Sequence, residues 1–193
     1  MTEPDIEIIE QVLGGNIPAF AEIIDRYQQR VYSLCVRILR NPEDAEEAAS
    51  DAFLKAYKAL ETFRRDSEFP TWLFRIAYNS AISRLRQRRS KPEAQAPELS
   101  DREQFEERLY EINSALGRIA DKERREIIRK ALEQLGPQEA AIVSLYYFED
   151  NSVAEISGIT GLSKSNVKIK LFRARLTMGN YLSKILKNEL RYI

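Results

Sequence analysis

Between Phe20 and Ile38 apolar side chains recur with the spacing of one helix face: Phe20, Ile23, Ile24, Tyr27, Val31, Leu34, Cys35 and Ile38. A strand would scatter these positions over both of its faces, whereas a helix gathers them into one stripe that must leave water. The same period marks a short segment with Ile6, Ile9 and Leu13, and a longer one from Glu43 to about Leu60 with Ala45, Ala49, Ala52, Phe53, Ala56, Tyr57 and Leu60 inward. It returns in Trp72, Leu73, Ile76 and Ala77, and again in Ile127, Ile128, Ala131, Leu132 and Leu135. With only seven Gly and seven Pro in 193 residues to interrupt it, this pattern predicts an all-α chain.

Local punctuation divides the chain. Asn16 is placed to cap the long second helix, Asn41-Pro42 ends it and opens the third, and Thr71 is placed to cap the fourth. A polar loop, Arg64-Arg65-Asp66-Ser67-Glu68, lies between Phe63 and Phe69. From Ser90 to Ser100 two prolines and little to bury point to a linker. The expected organisation is two small helical domains, 1–90 and 121–193, tethered but not fused through a segment, 91–120, that holds an amphipathic helix. In that segment Phe105, Leu109, Ile112, Leu116 and Ile119 recur at steps of four and three, a stripe that either packs on the C-terminal domain or meets a partner.

Composition narrows the chemistry. The chain has no histidine and one cysteine, Cys35, so it lacks the commonest general base and cannot build a Cys/His zinc site. No Gly-rich phosphate loop or nucleophile elbow accompanies its carboxylates. The expectation is a protein that is not an enzyme and needs no metal or cofactor. The acidic start, Met1 to Asp5, reads as neither a signal nor a transit peptide, and no apolar run nears the roughly 20 residues that span a bilayer. These features predict a cytoplasmic protein.

A formal net charge of zero conceals two basic surfaces. Between Glu68 and Glu93 the only charged residues are Arg75, Arg84, Arg86, Arg88, Arg89 and Lys91, and from Ser163 to Lys187 seven bases occur without one acid. Two such surfaces point to two polyanion contacts. The second coincides with a pattern: a helix from Pro137, a turn at Glu149-Asp150-Asn151, Ser152 as N-cap of a short helix with Val153, Ile156 and Ile159, then Gly161, then a basic helix opening at Leu162-Ser163. A short helix, a glycine turn and a basic second helix read as a helix-turn-helix. Its outward residues are expected to be Lys164, Lys168, Lys170, Phe172, Arg173 and Arg175, with Lys168, Phe172 and Arg173 reading base edges and Ser163 anchoring a phosphate. On this pattern alone a repressor or activator that acts without polymerase remains the alternative.

The first 90 residues carry a further likeness. Ala19-Phe20, Arg26-Tyr27 and Val31-Tyr32, then Asp44-Ala45-Glu46-Glu47 with Ala52-Phe53-Leu54-Lys55-Ala56-Tyr57, then Phe63-Arg64 and the run from Ser67 through Thr71-Trp72-Leu73-Phe74-Arg75-Ile76-Ala77-Tyr78-Asn79 closely resemble the extracytoplasmic-function group of bacterial sigma factors. Leu135-Gly136-Pro137 and Phe172-Arg173-Ala174-Arg175 resemble that group's second domain. The resemblance implies that residues 1–90 are sigma region 2 and residues 121–193 sigma region 4. Its partners would be core RNA polymerase, at the clamp of the largest subunit and the flap of the second, promoter DNA, and an anti-sigma factor. Polymerase would be met by Asp44, Glu46, Glu47, Asp51, Phe53 and Leu54. The minus 10 element would be held by Lys55, Phe63, Arg64, Asp66, Ser67, Phe69, Asn79, Ser83 and Arg86, with one base flipped into the loop. The minus 35 element would be read by Ser163, Lys164, Asn166, Lys168, Ile169, Phe172 and Arg173. The chain departs from the family pattern at Ser50, where glutamine is frequent, at Ile169, where a small polar residue is frequent, and at Ser83, where an amide is common.

Overall fold

The computed structural model describes residues 4–88 and 120–189; the expected linker and the stripe from Phe105 to Ile119 lie outside them. Four helices build the first half: α1 (Asp5–Leu13), α2 (Phe20–Leu39), α3 (Pro42–Lys58) and α4 (Phe69–Arg88). Four build the second: α5 (Asp121–Leu132), α6 (Pro137–Tyr147), α7 (Val153–Thr160) and α8 (Lys164–Glu189). Two short 3₁₀ turns, Ile17–Ala19 and Leu60–Thr62, complete the described elements.

The stripe of α2 is the axis of the first half. Ile23, Val31 and Cys35 are fully buried and Leu34 and Ile38 nearly so, and α1, α3 and α4 all pack on this helix. Small residues, Ala45, Ala48, Ala52 and Ala56, let α3 approach closely, while α4 inserts Leu73, Phe74, Ala77 and Tyr78. Burial pushes the Cys35 thiol up to about 12, which leaves it a small apolar side chain and not a reactive one.

Several ends form as the local chemistry requires. Asn41 accepts the Asp44 amide at 2.9 Å with Pro42 in the first turn of α3. Ser152 and Glu155 form a reciprocal capping box on α7, and Gly161 closes that helix at φ 74°, left-handed space that glycine enters freely. Others differ. Asn16 bonds to Gln11 at 3.1 Å and precedes the 3₁₀ turn, so α2 begins at Phe20 without a side-chain cap. Thr71 does not cap α4, which begins two residues earlier at Phe69; the hydroxyl is buried and faces Glu155 at 3.3 Å. Leu13 is 48% exposed, its expected place in the core being taken by Ile8 and Val12.

The halves are not merely tethered. α6 packs on α2 and α7 on α4, and buried side chains of both halves form one continuous cluster. A smaller cluster of Ile127, Ala131, Leu182 and Leu186 joins α5 to the far end of α8.

Two outcomes follow for stability. Leu34→Ala, which empties a fully enclosed site, is expected to cost about 2–5 kcal/mol in urea unfolding. Hydrogen bonds from the Ser152 hydroxyl and amide hold the Glu155 carboxylate below its ordinary range. A carboxylate lowered on folding contributes its full stability above the unfolded value of about 4.3, and loses it as the pH falls through the folded one. Urea midpoints of Glu155→Gln are therefore expected to lie below wild type at pH 6 and to converge with it as the pH drops below about 4.

Candidate polymerase and promoter surfaces

Three surfaces can be built from the residues upward. On α3, Glu46, Glu47, Ser50, Asp51 and Leu54 are exposed, Leu54 by 52%, and share one flank of the helix. An apolar side chain open to water among carboxylates is the composition of a contact with a basic, partly apolar partner. Two expected members of this surface are placed elsewhere. Phe53 is 7% exposed and belongs to the core, because the residue before Leu54 falls on the inner side of the helix. Asp44 accepts Arg84 at 2.9 Å and also Arg88, while Glu47 lies 2.5 Å from Arg84. Asp44 thus ties α3 to α4 and is only 16% exposed.

The second surface is the loop between the Leu60–Thr62 turn and α4, with the outer face of α4. Arg64, Asp66 and Ser67 are exposed, and Arg65 holds left-handed backbone at φ 62°, turning the loop sharply. A cavity of about 450 Å³ opens here, lined by Phe63, Arg65, Asp66, Ser67, Glu68 and Phe69, with Pro4, Asp5 and Ile6 of the N-terminal segment as a further wall. Its aromatic side rests on a cluster in which Phe63 lies 5.5 Å from Phe69 and 5.3 Å from Trp72. Phe69 is 3% exposed, so it supports the wall from behind while half-buried Phe63 is the ring within reach. The wall from α1 escaped the sequence reading because it rests on distant contacts: Arg65 to Glu10 at 2.7 Å, and Asp5 held by Arg26 and by the Tyr27 hydroxyl at 2.6 Å. Burial, with that bond to Asp5, raises the Tyr27 hydroxyl well above its ordinary value, so it stays a proton donor.

Along α4, Asn79, Ser83 and Arg86 are all exposed and, at steps of four and three, form one strip. Arg75, exposed four residues before Asn79, extends it; that spacing alone would have added it to the expected set. Lys55 reaches this helix from α3, donating to Ser80 at 3.0 Å.

The third surface is the start of α8. The Ser163 hydroxyl accepts the Asn166 amide at 3.2 Å, and Lys164, Ser165, Asn166, Lys168 and Ile169 are exposed, Ile169 by 40%. Val167, Leu171 and Ala174 face inward. Four residues expected outward are half-buried: Lys170 pairs with Glu139 at 3.6 Å, Arg175 donates to the Tyr147 hydroxyl at 2.6 Å, and Phe172 and Arg173 lie between them on the helix that α6 and α7 pack against. The exposed part of this face is therefore the first two turns, and Ser165, unremarked in the sequence, stands in it.

Among the described residues no helix is long and apolar enough to cross a membrane, and no cluster of acidic, cysteine or histidine side chains is arranged to hold a metal.

Comparison with known proteins fits this arrangement of surfaces. Residues 23–91 match the model of sigma-70 region 2, and residues 125–178 that of sigma-70 region 4. The RNA polymerase sigma-H factor of Pseudomonas aeruginosa is 32% identical over 187 residues, covering 96% of this chain and 97% of its own. The ECF RNA polymerase sigma-E factor of Escherichia coli K12 is 31% identical, covering 95% of this chain and 96% of its own. Among solved structures, CnrH in complex with the cytosolic domain of CnrY aligns with a TM-score of 0.58 at 22% identity over 92% of this chain and 96% of its own. The sigma factor RpoE from Bartonella quintana, in complex with the anti-sigma factor NepR, aligns with a TM-score of 0.56 at 16% identity over 85% and 96%. These matches favour a polymerase subunit over a free-standing repressor, and the chain belongs to the extracytoplasmic-function group of the sigma-70 family of RNA polymerase sigma factors.

Proposed function

We propose that this sigma factor binds the clamp of core RNA polymerase through the exposed flank of α3, Glu46 to Leu54, and the flap of the second subunit through its C-terminal half. The loop cavity and the strip Arg75, Asn79, Ser83 and Arg86 hold the minus 10 element, and the first turns of α8 read the minus 35 element. The carrying observation is that three exposed surfaces of different chemistry, acidic-apolar, aromatic-walled and basic, stand on three different elements of one chain. A flipped base needs an apolar wall and polar groups at its edge, which the loop cavity offers, and each captured base offsets part of the cost of unstacking. Sigma factors initiate transcription without chemistry of their own, so no catalytic residue is assigned. An anti-sigma protein is the expected inhibitory partner, as in the Bartonella relative, and the protein works where polymerase meets the nucleoid.

The test is co-purification with bacterial core polymerase followed by run-off transcription from a genomic fragment library. Specific transcripts are expected from the intact chain, and absence of both core binding and transcripts overturns the reading. Leu54→Glu is expected to weaken core binding about tenfold, the equivalent of about 1.4 kcal/mol, without lowering the unfolding midpoint. Asn79→Ala is expected to remove transcripts while core binding persists. Lys164→Ala is expected to lower the salt dependence of promoter binding by about one unit of log–log slope, the signature of one lost phosphate contact.

A further inference from the structure

Helices α2 and α5 repeat one surface pattern. On α2, Val36 and Arg37 lie four and three residues before Arg40; on α5, Ile128 and Arg129 lie three and four residues after Arg125, with Leu132 three beyond Arg129. Both spacings gather arginines and apolar side chains on one helix face. The two faces line a cleft of about 850 Å³, with Phe148, at the end of α6, as a further wall. That volume lies in the range of small-molecule sites, about 300 to 1,000 Å³. Leu132 belongs to the continuous apolar cluster of the fold, and Val36 and Ile128 pack against it, so close packing holds the walls in place.

The charges in this cleft are not balanced from within. Two turns earlier on α2, Arg30 shows the ordinary arrangement, donating to the Glu149 carboxylate at 2.6 Å. Arg129 likewise meets Glu126 at 2.6 Å and also Glu133. Arg37, Arg40 and Arg125 pair with no carboxylate among the described residues: Arg40 donates to the Leu135 carbonyl, Arg125 to the Asp121 carbonyl at 3.3 Å, and Arg37 lies 4.2 Å over the Phe148 ring. Burial lowers Arg37 from its ordinary value, with Glu149 acting the other way, so this guanidinium has left water without gaining an acceptor of its own.

Donors in this condition are answered by an anion that brings several oxygens, and the guanidinium fork matches phosphate oxygens two at a time. A bare inorganic anion leaves the apolar floor of Val36, Ile128 and Leu132 unused. The Phe148 ring, 47% exposed, offers a planar group a surface to pack on. We propose that this cleft is a binding site for a nucleoside polyphosphate, its phosphates held by Arg37, Arg40 and Arg125 and its base lying against Phe148 and the apolar floor. The site draws on α2 and α5, apart from the α3 flank, the loop cavity and the first turns of α8, and it does not depend on the polymerase reading.

The test is isothermal titration calorimetry of the full-length chain, without polymerase or DNA, against adenosine triphosphate, guanosine triphosphate and inorganic tripolyphosphate. Saturable binding of at least one nucleotide is expected, tighter than that of tripolyphosphate. Arg37→Gln and Arg125→Gln are each expected to weaken it about tenfold, the scale of one lost charge-assisted hydrogen bond. Phe148→Leu is expected to weaken the nucleotide several-fold and to leave tripolyphosphate unchanged. Arg125 and Phe148 are exposed, so their variants are expected to keep the wild-type unfolding midpoint, which separates loss of the site from loss of the fold. Lys164→Ala, on the exposed first turn of α8, controls for capture of phosphate by another basic surface and is expected to leave nucleotide binding unchanged. No saturable binding of either nucleotide, or binding that Lys164→Ala abolishes and the arginine variants spare, overturns the site. Nucleotide and tripolyphosphate bound equally, with Phe148→Leu silent, overturns the nucleoside part of the assignment.

Discussion

Helix α2 is buried from two directions, and α1, α3, α4 and α6 all take their places against it. On one side its apolar stripe closes against α1, α3 and α4; on the other its arginines lie under α6 and the turn beyond it. Each fully enclosed Ile, Leu or Val on such a stripe contributes about 1.5–3 kcal/mol relative to exposure. Only apolar burial on that scale offsets the entropy of ordering twenty helical residues. Polar contacts on the opposite side contribute direction more than strength, selecting which face of the second half is presented.

The outer surfaces inherit their positions from this arrangement. The alanines of α3 set how near it lies to α2, and that distance lets Asp44 reach Arg84 and Arg88 on α4. With α3 and α4 tied together, the carboxylates left facing outward, Glu46 and Asp51, stand beside Leu54 on a rigid support. The loop cavity depends on longer reach: α1 contributes a wall only because Asp5 is anchored to Arg26 and Tyr27 on α2. A binding site placed on elements held in this way keeps its shape before its ligand arrives, which lowers the ordering cost of recognition.

What could be read from the sequence was local. The cap at Asn41-Pro42, the box of Ser152 and Glu155, and the left-handed stop at Gly161 depend on residues within four positions of one another, and each forms as its chemistry demands. Helix type was legible because the apolar period is a property of the segment itself. Thr71 shows where this ends: as a cap it was plausible by type, but a partner 84 residues away holds its hydroxyl. Phe172 and Arg173 were assigned outward by charge and period alone, yet both are half-buried on a helix that α6 and α7 pack against, and no single-helix pattern contains that information. The packing of the two halves was hidden for the same reason, since Arg30 and Glu149 each look like ordinary surface charges until their 119-residue separation is closed.

Helix α8 is twenty-six residues long, about 39 Å at 1.5 Å per residue. Its first turns are open to solvent, and near its other end Leu182 and Leu186 are gripped by Ile127 and Ala131 of α5. Because α5 follows directly on the segment joining the halves, the exposed turns and the point of attachment occupy opposite ends of one stiff rod. Whatever fixes the orientation of α5 therefore fixes the orientation of the exposed first turns of α8 as well.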